Sequence, residues 1–171
     1  GQVDHYTRLE LPKSFAVDAK QLNRRYFEHQ RLLHPDRFAT ASPRERALSQ
    51  SQATALNEAY ETLKDPLRRA DYLLTLGHDG SESVDMSRVN DMALLQEALE
   101  LREELAEAES MDDITALAAR TTADIERCSD ELAEAFAGDD RNRAAGVITR
   151  LKYLRKLADD CRTRRQQLSR S

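Results

Sequence analysis

An all-α protein in two parts, a four-helix N-terminal domain joined to a C-terminal three-helix bundle, is what this sequence predicts, and three observations predict it. Apolar residues recur at three- and four-residue spacing through most of the 171 residues, the period of an amphipathic helix. Aromatics make up 5% of the chain, Trp is absent, and there are five Gly and four Pro, the composition of a helical protein with few tight turns and almost no sheet. Residues 78–86, His-Asp-Gly-Ser-Glu-Ser-Val-Asp-Met, are polar, small and without period. They mark a linker, and hence two domains at 3–77 and 87–168.

Within the first domain, Asp4-His5-Tyr6-Thr7-Arg8-Leu9 reads as a short helix ended before Pro12, because the residue preceding a proline is pushed out of helical geometry. The second helix starts at Asp18, a good N-cap. Ala19, Leu22, Tyr26 and Leu33 fall on one stripe while Arg24, Arg25 and Arg31 stay off it, and Pro35 ends the helix. Ser42-Pro43 followed by Glu45 is another start signal, with Pro at the first helical position and an acid where the dipole favours it. Leu48, Ala55, Leu56, Ala59, Tyr60 and Leu63 supply an apolar face up to Asp65-Pro66. A fourth helix runs from Pro66 to about Leu76, with Gly77 as a left-handed cap.

Beyond the linker come three long helical patterns, separated by Ser110-Met111-Asp112 and by Gly138-Asp139-Asp140. Short turns between long helices make antiparallel neighbours, and so a three-helix bundle. The middle helix is expected to pack through Ile114, Leu117, Thr121, Ile125, Cys128, Leu132 and Phe136. The last packs through Ala144, Val147, Ile148, Leu151, Leu154, Ala158 and Cys161. The helix at 87–109 is less simple. Turned at about 100° per residue, Leu94, Ala98, Leu101, Leu105 and Ala108 form one stripe, enough to face the bundle core. Met92, Leu95 and Leu99 form another, beside Gln96 and Glu103, and Glu97, Glu100, Glu104 and Glu107 occupy the rest. In the last helix, Tyr153 and Leu157 likewise fall away from the core stripe. Periodicity alone leaves two readings of the second stripe open, coverage by the first domain or an exposed patch for a partner.

Composition narrows the function classes. No window approaches the roughly 20 apolar residues of a membrane span, and no basic-then-apolar export signal opens the chain, so a cytoplasmic protein is expected. Cys128 and Cys161 are too few and too isolated for a disulfide framework or a zinc cluster and read as buried free thiols; no metal or cofactor is expected. The net charge of −5 is uneven: residues 1–77 sum to +2, 78–110 to −8, 111–140 to −7 and 141–171 to +8. Alternating signs suit neighbouring helices that attract one another. That explanation is preferred to nucleic-acid binding for the basic last segment.

The chemistry-bearing stretch is His34-Pro35-Asp36, at the break between the second and third helices. An imidazole and a carboxylate two residues apart could form a hydrolytic dyad, yet no Ser or Cys nucleophile or Gly-rich oxyanion loop accompanies them. As three letters alone they are a turn in which Pro fixes the backbone and Asp accepts nearby N–H groups. The context adds a third reading. The tripeptide lies between a basic helix and a helix ending Leu56-Asn57-Glu58-Ala59-Tyr60-Glu61-Thr62-Leu63-Lys64-Asp65-Pro66-Leu67-Arg68-Arg69-Ala70. That arrangement resembles the J-domain of DnaJ co-chaperones. With Arg37-Phe38, Arg69-Ala70-Asp71-Tyr72-Leu73-Leu74 and Leu99-Glu100-Leu101-Arg102-Glu103-Glu104-Leu105, nearly the whole chain resembles the HscB family, the J-proteins of bacterial iron–sulfur cluster assembly. The Gly/Phe-rich segment and cysteine-rich zinc repeats of general DnaJ proteins are lacking.

The resemblance implies an L-shaped pair of domains, a J-domain with an antiparallel helical hairpin and a C-terminal domain that binds a scaffold. It implies no enzyme but an activator: the loop stimulates ATP hydrolysis by an HscA/DnaK-type chaperone. By position, Asp36 pairs with a chaperone arginine, His34 fixes the loop and Pro35 holds its shape, with Arg24, Arg25, Arg31 and Arg37 as docking residues. An ordinary solvated face is the alternative for these arginines, since Glu28 shares their helix. The family's contacts to an IscU-type scaffold correspond to Leu95, Gln96, Leu99, Glu100, Arg102, Glu103 and Tyr153, and Met92 extends the same stripe. Gln96 departs from the apolar residue common there in relatives. The whole then reads as an adaptor without chemistry of its own, the alternative being a J-protein that serves a general DnaK with another client.

Overall fold

The computed structural model describes residues 3–76 and 92–170, and every element among them is helical. The chain divides into two units between Leu73 and Leu74. The proposed Gly77 cap, the 78–86 linker and the first five residues of the expected 87–109 helix lie outside the described residues.

The first unit begins with α1, His5–Arg8, capped by Asp4, whose carboxylate accepts the Thr7 N–H at 2.8 Å. Helix α2, Ala19–Leu32, is capped by Asp18, which accepts from Lys20 and Gln21. Helix α3, Pro43–Lys64, starts at Ser42, whose hydroxyl accepts the Glu45 N–H at 3.2 Å. Helix α4 spans Pro66–Leu76. Tyr6, Leu9, Phe15, Leu22, Leu56, Ala59, Leu63, Ala70 and Leu73 are buried together as the core side chains of this unit.

Two members of the expected apolar faces are corrected. Leu48 is 59% exposed, and its neighbour Ser49 is buried instead. Ser49 precedes Leu56 by seven residues, two turns on the same azimuth, whereas Leu48 precedes the half-buried Ala55 and lies at the rim of the stripe. Ala19 is exposed as well; a single methyl gains too little from burial to hold the first turn of α2 inward.

Where α2 faces α3, two tyrosines and two asparagines form a reciprocal pair. The Tyr26 hydroxyl donates to Asn57 Oδ1 and the Tyr60 hydroxyl to Asn23 Oδ1, each at 2.6 Å. Their rings stack at 4.1 Å between centroids.

The second unit is built on a long hairpin. Helix α6, Met111–Ala137, is capped by Ser110, and α7, Arg141–Ser169, by Asp140. The turn between them puts Asp139 at φ 54°, a left-handed conformation that Asp tolerates better than most side chains. Ile114, Leu117, Thr121, Cys128 and Leu132 of α6 are buried, as are Ala144, Val147, Ile148, Leu151, Leu154 and Cys161 of α7. Both cysteines are thus buried free thiols, and burial raises both pKa values. Ile125, Phe136 and Ala158 are only half-buried. Leu157, read as falling away from the core, is 5% exposed and packs with Ala108, Ile114, Leu117 and Cys161. It stands three residues after Leu154 and four before Cys161, so α7 carries a second inward face where α5 joins the hairpin.

Helix α5, Met92–Glu107, has no fully buried side chain. Leu101 and Leu105 pack against the Ala108–Leu157 cluster, and two bidentate ion pairs supply the rest. Glu97 meets Arg150 of α7 at 2.9 and 3.0 Å, and Glu104 meets Arg120 of α6 at 2.7 Å twice. Acidic α5 is therefore held partly by arginines of its neighbours: Arg150 belongs to the basic 141–171 block, as the charge pattern suggests, whereas Arg120 stands within the acidic 111–140 block.

Two outcomes are expected. Leu63→Ala, at a fully buried position of α3, should destabilise the first unit by about 3 kcal/mol in urea denaturation, whereas Leu48→Ala should cost less than about 0.5. The arginine forks hold the Glu97 and Glu104 carboxyls below the ordinary value of 4.5. Their contribution is present above that value and lost as pH falls through the lowered one. Thermal melts of the second unit should therefore fall on acidification below about pH 4.5, and the Glu97→Gln/Glu104→Gln double variant should show a shallower fall.

Candidate interaction surfaces

The first surface is the break after α2. Pro35 cannot continue an α-helix, and Pro35–Phe38 form one 3-10 turn with His34 as its N-cap. The His34 ring turns back on its own backbone: Nδ1 accepts the Asp36 N–H at 3.2 Å. The 3.6 Å from Nδ1 to the Asp36 carboxylate is a juxtaposition rather than a hydrogen bond. The carboxylate itself points outward, its side chain 94% exposed. No Ser or Cys nucleophile stands in hydrogen-bond contact with the His34 ring among the described interactions. The pair therefore leaves the Asp36 carboxylate open to solvent.

The four arginines expected to dock are not equivalent. Arg24, Arg31 and Arg37 are exposed. Arg25 is half-buried and braced between Glu28 at 3.6 Å and Glu10 at 4.0 Å, and Glu10 also meets His29 Nε2 at 2.9 Å. Its charge is partly spent inside the unit.

The second surface lies where α5 runs beside α7. Met92, Leu95 and Leu99 are 77%, 57% and 51% exposed, so the second stripe of α5 is open to solvent. Leu95, Leu99 and Arg102 of α5 line one side of a groove of about 160 Å³, and Tyr153, Lys156 and Leu157 line the other. Gln96 and Glu100, one turn apart, are hydrogen-bonded at 3.0 Å, and Arg102 and Glu103 are exposed on the same helix. All the residues expected to form a patch from α5 are therefore on its surface, and Tyr153 joins them from α7.

Sequence reading missed two parts of this site. Lys156 and Asp160, paired at 3.2 Å, belong to the groove wall; they follow Tyr153 by one and two turns, which was the available signal. The other part is Glu97, expected among solvated acids. Its carboxylate accepts from Arg150 and from the Tyr153 hydroxyl. Partial burial and this carboxylate raise the Tyr153 phenol pKa, and the carboxylate raises that of Arg150. Among the described residues no group of three or more His, Cys, Asp or Glu is placed to hold a metal ion, and no helix is long and apolar enough to cross a membrane.

Comparison with known proteins matches both units. A DnaJ domain model matches residues 4–72, and a model described as the HSCB C-terminal oligomerisation domain matches residues 90–162. The co-chaperone protein HscB of Proteus mirabilis (strain HI4320) is 37% identical over 165 residues, covering 92% of each chain. Among solved structures, chaperone HscB from Vibrio cholerae is similar with a TM-score of 0.83 at 35% identity, covering 97% of this chain and 99% of that one. Human co-chaperone protein HscB gives 0.84 at 33% identity, over 95% and 82%. With the helical architecture, the His34-Pro35-Asp36 turn and these matches over both units, the chain belongs to the HscB family of J-domain co-chaperones.

Proposed function

We propose that this chain is a cytoplasmic adaptor of iron–sulfur cluster biogenesis. Its J-domain, residues 3–77, stimulates ATP hydrolysis by an HscA/DnaK-type chaperone. Its C-terminal domain, residues 87–168, holds an IscU-type scaffold and delivers it, with 78–86 as the linker. The observation that carries this reading is the state of Asp36: a carboxylate nearly fully exposed, on a turn fixed by Pro35 and by the His34 ring. Such an anion needs little further ordering to accept a charge-assisted hydrogen bond from a chaperone arginine, so little of the interaction is lost to entropy. Arg24 and Arg31 before the break and Arg37 after it are exposed and so available to an acidic chaperone surface. Arg25, braced by two glutamates, contributes less.

For the scaffold, the open stripe of Met92, Leu95 and Leu99 with Tyr153 supplies an apolar centre. Gln96, Glu100, Arg102 and Glu103 form a polar rim that sets orientation. Gln96 is tied to Glu100, so at this position the rim offers a hydrogen-bonding group rather than apolar area. Leucines and an aromatic at the centre would carry most of the affinity.

Two measurements test the reading. Steady-state ATPase of the HscA-type partner should rise severalfold on addition of the protein, and Asp36→Asn or His34→Gln should abolish the rise with helicity by circular dichroism unchanged; undiminished stimulation by both variants removes the J-domain role. By calorimetry, Leu95→Ala combined with Leu99→Ala should weaken scaffold binding more than about tenfold, or about 1.4 kcal/mol, without unfolding the bundle.

A further inference from the structure

The two ion pairs of α5 look alike but hold different things. The C-terminal half of the helix is already seated by apolar packing, since Leu101 and Leu105 rest on the cluster of Ala108, Ile114, Leu117, Leu157 and Cys161. The Glu104–Arg120 fork lies in this half, against α6. The described N-terminal half buries no side chain fully, Leu94 and Ala98 being half-buried, and it carries Met92, Leu95 and Leu99 on its open side. What ties that half down is Glu97. Its two oxygens take the Arg150 fork, and one of them also accepts the Tyr153 hydroxyl. Arg150 is only 21% exposed; it also stands 3.9 Å from Asp124 Oδ2 and 3.9 Å from Cys128 Sγ, both on α6. One guanidinium thus stands at contact or near-contact with all three helices, one turn before Tyr153 of the groove.

We propose that Glu97 and Arg150 are positioning residues for partner binding: with the Tyr153 hydroxyl they set the spacing of α5 and α7, and so the shape of the groove between Leu95–Leu99 and Tyr153. The inference rests on the reading of that face as the scaffold site. It assigns Tyr153 two separable roles, a ring that a partner touches and a hydroxyl spent inside the protein.

Calorimetric titration of the full-length protein with an IscU-type scaffold, paired with thermal melts of each variant, tests this. Glu97→Gln and Arg150→Lys should weaken binding about tenfold, within the range of coupling between linked groups, and Tyr153→Phe should weaken it in the same direction although its ring is kept. Glu104→Gln removes the other fork and is the control: it should lower the melting temperature comparably while leaving affinity unchanged. If Glu97→Gln and Glu104→Gln affect affinity alike, or neither affects it, the Glu97 cluster is a structural clamp only and the proposal is overturned. Leu95→Ala with Leu99→Ala, run alongside, separates the two levels. Weakening there without weakening in Glu97→Gln sinks the positioning role alone, and intact binding in both sinks the scaffold site with it.

Discussion

The Arg150 guanidinium sits at the meeting point of three helices, with a carboxylate fork on one side, a phenol beside it and a thiol and a second carboxylate at longer range. An α5 of sixteen residues that buries no side chain fully gains little from the hydrophobic effect, which scales with apolar area removed from water. Beyond the packing of Leu101 and Leu105, its place on the α6–α7 hairpin draws on directional contacts, and the fork is a strongly directional one. Partial burial matters here. At one-fifth to one-third exposure the pair avoids most of the desolvation cost of a fully buried ion pair, yet it is shielded enough to exceed the near-zero worth of a surface one. The open stripe on the far side of the helix follows from the same fact: leucines not needed for docking are free to face solvent.

The first unit solves a different problem with similar economy. A turn that presents a carboxylate to another protein must hold it still without covering it. Here the side chain of one motif residue satisfies the backbone of another and the proline fixes a dihedral. The neighbouring arginines divide into those left free and one bound to Glu10 and Glu28. A basic helix is therefore not uniformly a basic surface.

Much of this was legible beforehand, and the reasons differ by level. Caps at Asp18 and Ser42 and the break at Pro35 are written in short-range chemistry and appear where the residues place them. The helical stripes are legible as azimuths, which is why Met92, Leu95 and Leu99 emerged as a second stripe from spacing alone, though not that it is exposed. An azimuth does not say what covers it. Leu48 lies at the edge of its stripe and ends up exposed, whereas Leu157 lies off its stripe and is buried because α7 has two neighbours rather than one. Glu97 was unreadable for a third reason: its partner is 53 residues away, and a glutamate in a helical pattern reads locally as solvated.

The crossed pairs of Tyr26 with Asn57 and Tyr60 with Asn23 bear on how the hairpin of the first unit can vary. Each tyrosine reaches the asparagine three residues from the other tyrosine, so sliding α2 along α3 by a single residue would break both hydrogen bonds at once. The two helices are thereby keyed to one alignment by their own side chains, about two turns before the chain leaves α2. Alignment of the hairpin is thus set by side chains within α2 and α3 as well as by the turn that joins them, so the turn at His34-Pro35-Asp36 rests on a base whose register is fixed independently of it.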